Sequence, residues 1–361
     1  MSIVTLYAVF SRKSVSLTQR LAIKDSINHY SLANVVKTFL RILTVTIIVE
    51  GIGAVLIAIV LVPQYGWGGG IWRSVFHSIS AFCNAGFDLF GTTDNQYTSL
   101  STYQTNGLML LVTCALIIIG GIGFMVWQDI SEKRKFSKFS LHTKIILIMT
   151  LLLIMIGTAG FFLFEYAGNT HGLPWLYRIM NSFFNSVTAR TAGFNTTSMD
   201  KMTDSSNLLS ILLMFIGAAP GSTAGGIKVT TFYVLIVAVQ SFIRGRSDVY
   251  AFRWRISMDI VVKSLAILLL GSSIIILAAL IIISSGAVGF KQALFETTSA
   301  FGTVGLSMGI TPTLPATSKI VLVIVMFLGR TGPITAVMAF SVIQERAKVS
   351  YRYPEGKITV G

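Results

Sequence analysis

The chain has 361 residues, 53% of them hydrophobic and only 12% charged, with a mean hydropathy of +0.75; soluble domains carry about 25% charged residues, so an ordinary soluble enzyme or binding module is excluded. Its formal charge of +14 does not make a nucleic-acid-binding face, because the basic residues lie between apolar runs rather than on one polar domain. Cys83 and Cys114 are the only cysteines and both fall in apolar or pore-adjacent stretches, which argues against a disulfide framework.

Residues 1–10 form a short apolar run ahead of Arg12 and Lys13. A signal peptide has the opposite order, so the run reads as the tail of a membrane helix. Residues 11–41 are basic, with a Ser16/Gln19 capping pattern, and are expected in the cytoplasm. Residues 42–62 predict a span, interrupted by Glu50, Gly51 and Gly53, and 63–70 predict a complete break. Residues 71–83 are too few to cross about 30 Å of hydrocarbon and predict a re-entrant segment. The turn Asn84-Ala85-Gly86-Phe87 follows, then a polar loop over 88–105 and a second span over 106–127.

The order recurs after a basic connection holding Lys133, Arg134, Lys135, Lys138 and Lys144. Residues 145–166 predict a span, 176–190 a short segment, Thr191-Ala192-Gly193-Phe194 a turn and 207–242 a long return. A third basic connection carries Arg244, Arg246, Arg253, Arg255 and Lys263. It leads to a span over 263–283, a short segment over 290–301, the turn Thr303-Val304-Gly305-Leu306, a return over 318–343 and a basic tail. Each turn glycine comes ten residues after a phenylalanine (Phe76, Phe183, Phe295), and the glycines are 107 and 112 residues apart.

Lys and Arg gather at the junctions between these units, which the positive-inside rule places in the cytoplasm, so the turns are approached from outside. Non-helical backbone at membrane depth survives only when buried in protein or lining a water-filled path. The fold predicted is all-α and integral to the membrane: pseudo-symmetric repeats of membrane helix, re-entrant pore helix and membrane helix around a central cation pore. Carbonyls held around that axis replace the water of a desolvated cation without burying formal negative charge. The predicted filter is Asn84, Ala85 and Gly86, Thr191, Ala192 and Gly193, and Thr303, Val304 and Gly305, with the leading Asn or Thr adding a side-chain oxygen.

A second feature is the stretch from Gly217 to Lys228, whose four glycines, one proline and small hydroxyl residues interrupt an apolar return. Broken helices at membrane depth mark ion pathways. The stretch lacks the Gly-Lys-Ser/Thr ending of a phosphate-binding loop. Arg330 stands within the last span, where a lipid-facing charge costs at least about 3 kcal/mol; it is expected to face the pore and limit cation flux. Arg190 and Glu296, in the short segments of different units, are expected to neutralise each other around the ring. Glu50 either bonds backbone freed near Gly51 and Gly53 or belongs to a coupling site, and His77 reads as a satisfied helix residue. His29, His77, His142 and His171 have no metal-ligand spacing. They also lie at segment ends or in a pore helix, which argues against an intramembrane enzyme such as a serine protease; no enzyme is expected.

Over essentially its whole length the sequence resembles the Trk/Ktr/HKT superfamily of potassium transporters, nearest to the membrane subunit of the bacterial Ktr system. The resemblance is carried by Phe76-His77-Ser78-Ile79-Ser80-Ala81-Phe82 before the first turn, by Thr188-Ala189-Arg190-Thr191-Ala192-Gly193-Phe194-Asn195-Thr196, and by Pro220-Gly221-Ser222-Thr223-Ala224-Gly225-Gly226-Ile227-Lys228. It implies potassium uptake across the bacterial cell membrane, with sodium as a coupling or activating ion. It implies as partners the lipid bilayer, a second copy in a homodimer and a cytosolic ring of nucleotide-binding regulatory subunits, with no nucleic acid. Ala218, Ala219, Pro220, Gly221, Ser222, Thr223, Ala224, Gly225 and Gly226 would be the intramembrane gate, with Arg330 at the position of a family arginine near it.

The family builds its pore from four units, whereas three complete ones are legible here. Residues 1–41 read as the end of an incomplete first repeat plus a linker; 42–130, 131–243 and 244–343 are the complete repeats, and 344–361 a cytoplasmic tail. Counting back one unit from Gly86 lands before Met1, so the expectation is a longer parent whose DNA upstream of the Met1 codon encodes another short helix and turn. The alternative is a non-conducting remnant or assembly partner of the same family.

Overall fold

The computed structural model describes residues 35–93, 96–166, 168, 172–286 and 288–332. The residues expected to end a first repeat, most of the expected linker, 333–343 of the last return and the basic tail lie outside them.

Helix α1 (Val35–Phe82) holds both the first span and the first pore helix. The predicted break over 63–70 is far tighter than expected: Pro63 sits inside the helix, and only Gly66 leaves helical geometry, at φ 72° and ψ 172°. At that point the chain doubles back. A Cβ added at Gly70 would lie 2.5 Å from Val62 Cα, and one at Gly53 2.5 Å from Ser78 Oγ, so the two arms run antiparallel in contact. One residue suffices because glycine reaches positive φ without the Cβ clash that other residues meet.

The return is α2 (Gly107–Ile122), capped by Asn106, whose side chain accepts from Met109 N at 3.0 Å. The expected straight span over 106–127 is instead broken at Gly123 (φ 94°), and α3 (Phe124–Lys133) leaves at 91° to α2. The second unit runs through α4 (Leu141–Phe164), the pore helix α5 (Trp175–Thr188) and α6 (Asp204–Phe215). A non-helical stretch over 216–228 and α7 (Val229–Ile243) complete it. The third has α8 (Met258–Ser284), the pore helix α9 (Phe290–Gly302) and α10 (Ala316–Thr331). At 24 and 27 residues, α4 and α8 extend about 36 and 40 Å at 1.5 Å per residue, enough to cross the hydrocarbon.

The junction between the second and third units holds an antiparallel hairpin that the sequence reading did not foresee, β1 (Val249–Ala251) with β2 (Trp254–Ile256), in register Val249 to Ile256. Asp129 closes the preceding junction, receiving Lys133 Nζ at 2.6 Å and Ser140 N at 2.8 Å.

The pore helices form the centre. In α5 the whole run from Phe184 to Thr188 is buried, and in α9 so is that from Phe295 to Ser299. Hydroxyls of the pore helices tie them to the spans before them. Ser78 Oγ donates to Glu50 O at 2.7 Å and Ser186 Oγ to Ile154 O at 2.9 Å, in both cases three residues before the glycine (Gly53, Gly157) that lets the span approach. The return helices come equally close. A Cβ at Gly120 would lie 1.9 Å from Phe82 O and one at Gly329 1.9 Å from Phe301 O, the carbonyl four residues before the turn glycine in each unit. Small residues allow such approach between membrane helices.

Candidate functional site: a ring of three glycine turns

Each pore helix ends in the same distortion. Asn84, Thr191 and Thr303 have φ of 50°, 82° and 50°, and two residues on Gly86, Gly193 and Gly305 have φ of 73°, 87° and 93°. The intervening backbone N–H groups turn back on the helix end: Ala85 N donates to Ser80 O at 2.9 Å, Ala192 N to Thr188 O at 3.0 Å and Val304 N to Ser299 O at 2.9 Å. Side chains fix the exit in two units, where Ser80 Oγ donates to Phe87 O at 2.7 Å and Thr188 Oγ1 to Phe194 O at 2.6 Å.

The turns lie side by side. A Cβ at Gly86 would meet Ala192 O at 2.4 Å and Gly193 Cα at 3.2 Å; one at Gly193 would meet Val304 O at 2.1 Å and Gly305 Cα at 3.3 Å. Three glycines more than a hundred residues apart in sequence thus form one contiguous arc, and a cavity of about 570 Å³ brings all three together with Asp88, Ser99, Asn195, Ser307 and Lys319. Among the described residues the Thr191 hydroxyl and both amide atoms of Asn84 are buried without a hydrogen-bond partner. Buried polar atoms normally find a protein group, water or an ion.

The stretch over 216–228 packs on the opposite side of the arc, toward α7 and the basic junction that follows it. A Cβ at Gly225 would sit 2.2 Å from Thr303 Oγ1, and one at Gly121 3.4 Å from Asn84 Nδ2 and 3.5 Å from Ala218 Cβ. The stretch is held at many points. Ala219 N donates to Gly121 O at 3.1 Å, Phe124 N to Gly221 O at 3.1 Å and Val229 N to Ala218 O at 3.2 Å. Thr223 Oγ1 reaches Phe82 O at 3.3 Å and Gly120 O at 3.2 Å, and Ser222 Oγ donates to Ala219 O at 2.7 Å. Arg330 Nη1 donates to Thr223 O, so the arginine meets the stretch as well.

Arg190 and Glu296 do not meet each other. Arg190 is buried and donates through Nη1 to Thr150 O at 3.4 Å. Both Glu296 oxygens are committed to the loop after the third turn, accepting from Ser307 Oγ, from Met308 N at 3.1 Å and from Thr311 Oγ1 at 3.0 Å. The expected pairing around the ring is therefore corrected: each charge serves its own unit. His77 is packed but only half satisfied, against the expectation: Nε2 lies 3.0 Å from Thr113 Oγ1 and the ring packs 4.7 Å from Phe194, while Nδ1 is buried without a partner.

Two groups of residues escaped the sequence reading. Lys228, at the end of the non-helical stretch, donates through Nζ to Ala224 O at 2.7 Å and Gly225 O at 3.4 Å. The run Gly120-Gly121-Ile122-Gly123 positions the first return helix, and its glycine density was the available signal. The arc also has an unlike flank. Phe87 is 69% exposed, whereas its counterparts Phe194 and Leu306 are 0% and 3% exposed, buried by the unit before them. Trp72, Val75 and Ile79, on the same helical stripe, are exposed too.

The sequence profile of the TrkH family, described as a cation transport protein, matches residues 1–352. The chain is 37% identical over 367 residues to the potassium/sodium uptake protein NtpJ of Enterococcus hirae, covering all of this chain and 80% of that protein. It is 38% identical over 363 residues to the Ktr system potassium uptake protein B of Bacillus subtilis, with the same coverage of 100% and 80%. The crystal structure of the potassium transporter TrkH from Vibrio parahaemolyticus superposes with a TM-score of 0.72 at 17% identity, over 91% of this chain and 69% of that one, a likeness of fold.

Proposed function

Because the chain belongs to the TrkH family of cation transport proteins, and is a multi-pass membrane transporter rather than an enzyme, we propose that it takes up potassium through a filter of backbone carbonyls at Asn84–Gly86, Thr191–Gly193 and Thr303–Gly305. One observation carries this reading: the three turn glycines contact one another in series and line a single cavity. The carbonyls of Ala192 and Val304 lie at those contacts, and such oxygens held by neighbouring backbones suit a desolvated monovalent cation. The partnerless Oδ1 of Asn84 and Oγ1 of Thr191 offer further oxygens on the turn residues. A relative named for potassium/sodium uptake and one named for potassium uptake support these ions as the transported ones; sodium as a coupling or activating ion is part of the same proposal. Under the same proposal the stretch from Ala218 to Gly226 is the gate, Arg330 limits flux through it, and the molecule works as a homodimer on a cytosolic nucleotide-binding ring.

The exposed stripe of Trp72, Ile79 and Phe87 supports a fourth unit of the same kind that covers it, as the preceding unit covers Phe194 and Leu306. The same stripe favours a second reading, in which this chain by itself keeps the fold without conducting. Growth of a potassium-uptake-deficient bacterium at low potassium separates the two. Rescue is expected from a version carrying a fourth unit upstream of Met1 and not from this chain alone. Rescue by both would remove the need for a fourth unit, and rescue by neither would remove the uptake reading.

A further inference from the structure

Three consecutive carbonyl oxygens of the stretch beneath the turns are each taken by a protein cation. Arg330 Nη1 donates to Thr223 O, and Lys228 Nζ to Ala224 O at 2.7 Å and to Gly225 O at 3.4 Å. Gly225 in turn sits against Thr303 and Gly302 of the third turn. The ammonium is therefore one residue's thickness below the filter arc.

The choice of lysine here is not explained by helix formation. Lys228 is the N-cap of α7 and makes no side-chain cap to it. A helix N-terminus carries partial positive charge and disfavours a cation, and Ser, Thr, Asp or Asn would satisfy the free N–H groups better. The oxygens that Lys228 Nζ takes belong to the segment packed against the third turn.

We propose that Lys228 is a resident cation of the gate: its ammonium occupies the Ala224 and Gly225 carbonyls, ties the non-helical stretch to the start of α7, and with Arg330 on Thr223 keeps the path below the filter closed. This rests on reading the stretch as a gate. Opening then requires the ammonium to release those carbonyls, which become the exit ligands for the permeating ion. Arg330 and Lys228 act in parallel, from different units, on adjacent peptide groups.

The test is a thiol-accessibility measurement on the full chain, extended upstream with the fourth unit, in inside-out vesicles. Ser222→Cys is introduced with Cys83 and Cys114 replaced by serine, and labelling by a membrane-impermeant maleimide is timed. Losing a hydrogen bond from a charged donor is expected to raise the labelling rate about tenfold in Lys228→Met, and Lys228→Arg is expected to restore it. Lys228→Met with Arg330→Gln is expected to label faster than either alone. Rubidium uptake in the same vesicles is expected to rise with unchanged KM. A labelling rate in Lys228→Met equal to that of the parent would overturn the proposal, as would a double variant no faster than Arg330→Gln. Faster labelling without any rubidium uptake in parent or variant would leave the tether standing and remove the uptake reading instead. Size-exclusion elution identical to the parent, and the reversal by Lys228→Arg, exclude a folding defect as the cause.

Discussion

At the scale of single residues, the turn glycines differ from other glycines of the chain in what a side chain would meet. Gly193 has φ 87° and its Cβ would fall 2.1 Å from Val304 O, whereas Gly51 in α1 has nothing within 4 Å. Gly193→Ala is expected to abolish uptake, and strain of about 1–3 kcal/mol in the backbone alone should lower thermal stability in detergent. Gly51→Ala should keep uptake and, by helix propensity, gain up to about 1 kcal/mol; equal behaviour of the two would refute the contact argument. Asp88 is a second case. Burial raises its carboxyl above the ordinary carboxylate range, and the Phe90 N–H at 3.0 Å pulls it part of the way back. Since the folded pKa is raised, stability from this group is present at low pH and lost as pH rises through the folded value. The vestibule charge follows the reverse course, disappearing first on mild acidification. Apparent cation affinity should therefore weaken in mild acid, and Asp88→Asn should flatten that profile; an unchanged acid response of the variant would discard the role.

At the scale of elements, the return helices share a device. Gly123 (φ 94°, ψ 143°) ends α2 and Gly332 (φ 89°, ψ 132°) ends α10 in nearly the same conformation, each three residues after a glycine pressed on a pore-helix carbonyl. In the middle unit the break expands into the stretch over 216–228. Arg330, two residues before its break, reaches that stretch. Arg330→Ala is expected to raise the potassium transport rate, and unaltered KM and Vmax would remove its gating role. Ser78 and Ser186 pin the pore helices to the spans before them. Loss of either hydroxyl as alanine should cost about 1 kcal/mol, read as a drop in thermal unfolding temperature, because the hydrogen bond tying the pore helix to its span is removed.

At the scale of the whole molecule, the arc gives equivalent residues unequal surroundings. Phe194 is 0% exposed and Phe87 69% exposed. Phe194→Asn should destabilise the fold by several kcal/mol, by the measure of about 3–5 kcal/mol for deleting a buried phenylalanine. Phe87→Asn should be nearly neutral in this chain and costly only in a version extended by a fourth unit. Equal tolerance of Phe87→Asn in both versions, judged by detergent thermostability, would mean that the stripe faces lipid rather than another unit.

Composition and spacing by themselves determined the membrane class, the short segments before each turn and the three glycines at one offset from a phenylalanine, since hydropathy and repeat length are local properties of the chain. They also exposed the non-helical stretch before α7, because its glycines and proline disfavour a helix, although a similar composition over 63–70 departs from helical geometry only at Gly66. They could not say that Pro63 stays helical while Gly66 alone reverses the chain, nor that α2 breaks at Gly123. Pairing Arg190 with Glu296 failed for the same reason: charges in two pore segments look complementary in sequence, yet nearer backbone and hydroxyl groups take each of them. Which carbonyl meets which cation was decided only in three dimensions, where Thr223, Ala224 and Gly225 from one unit come between Lys228 and an arginine from the next. Lys228 reaches carbonyls three and four residues back, but the arginine comes from 107 residues away, and close packing across the units, not any property of the local sequence, brings it to the neighbouring carbonyl.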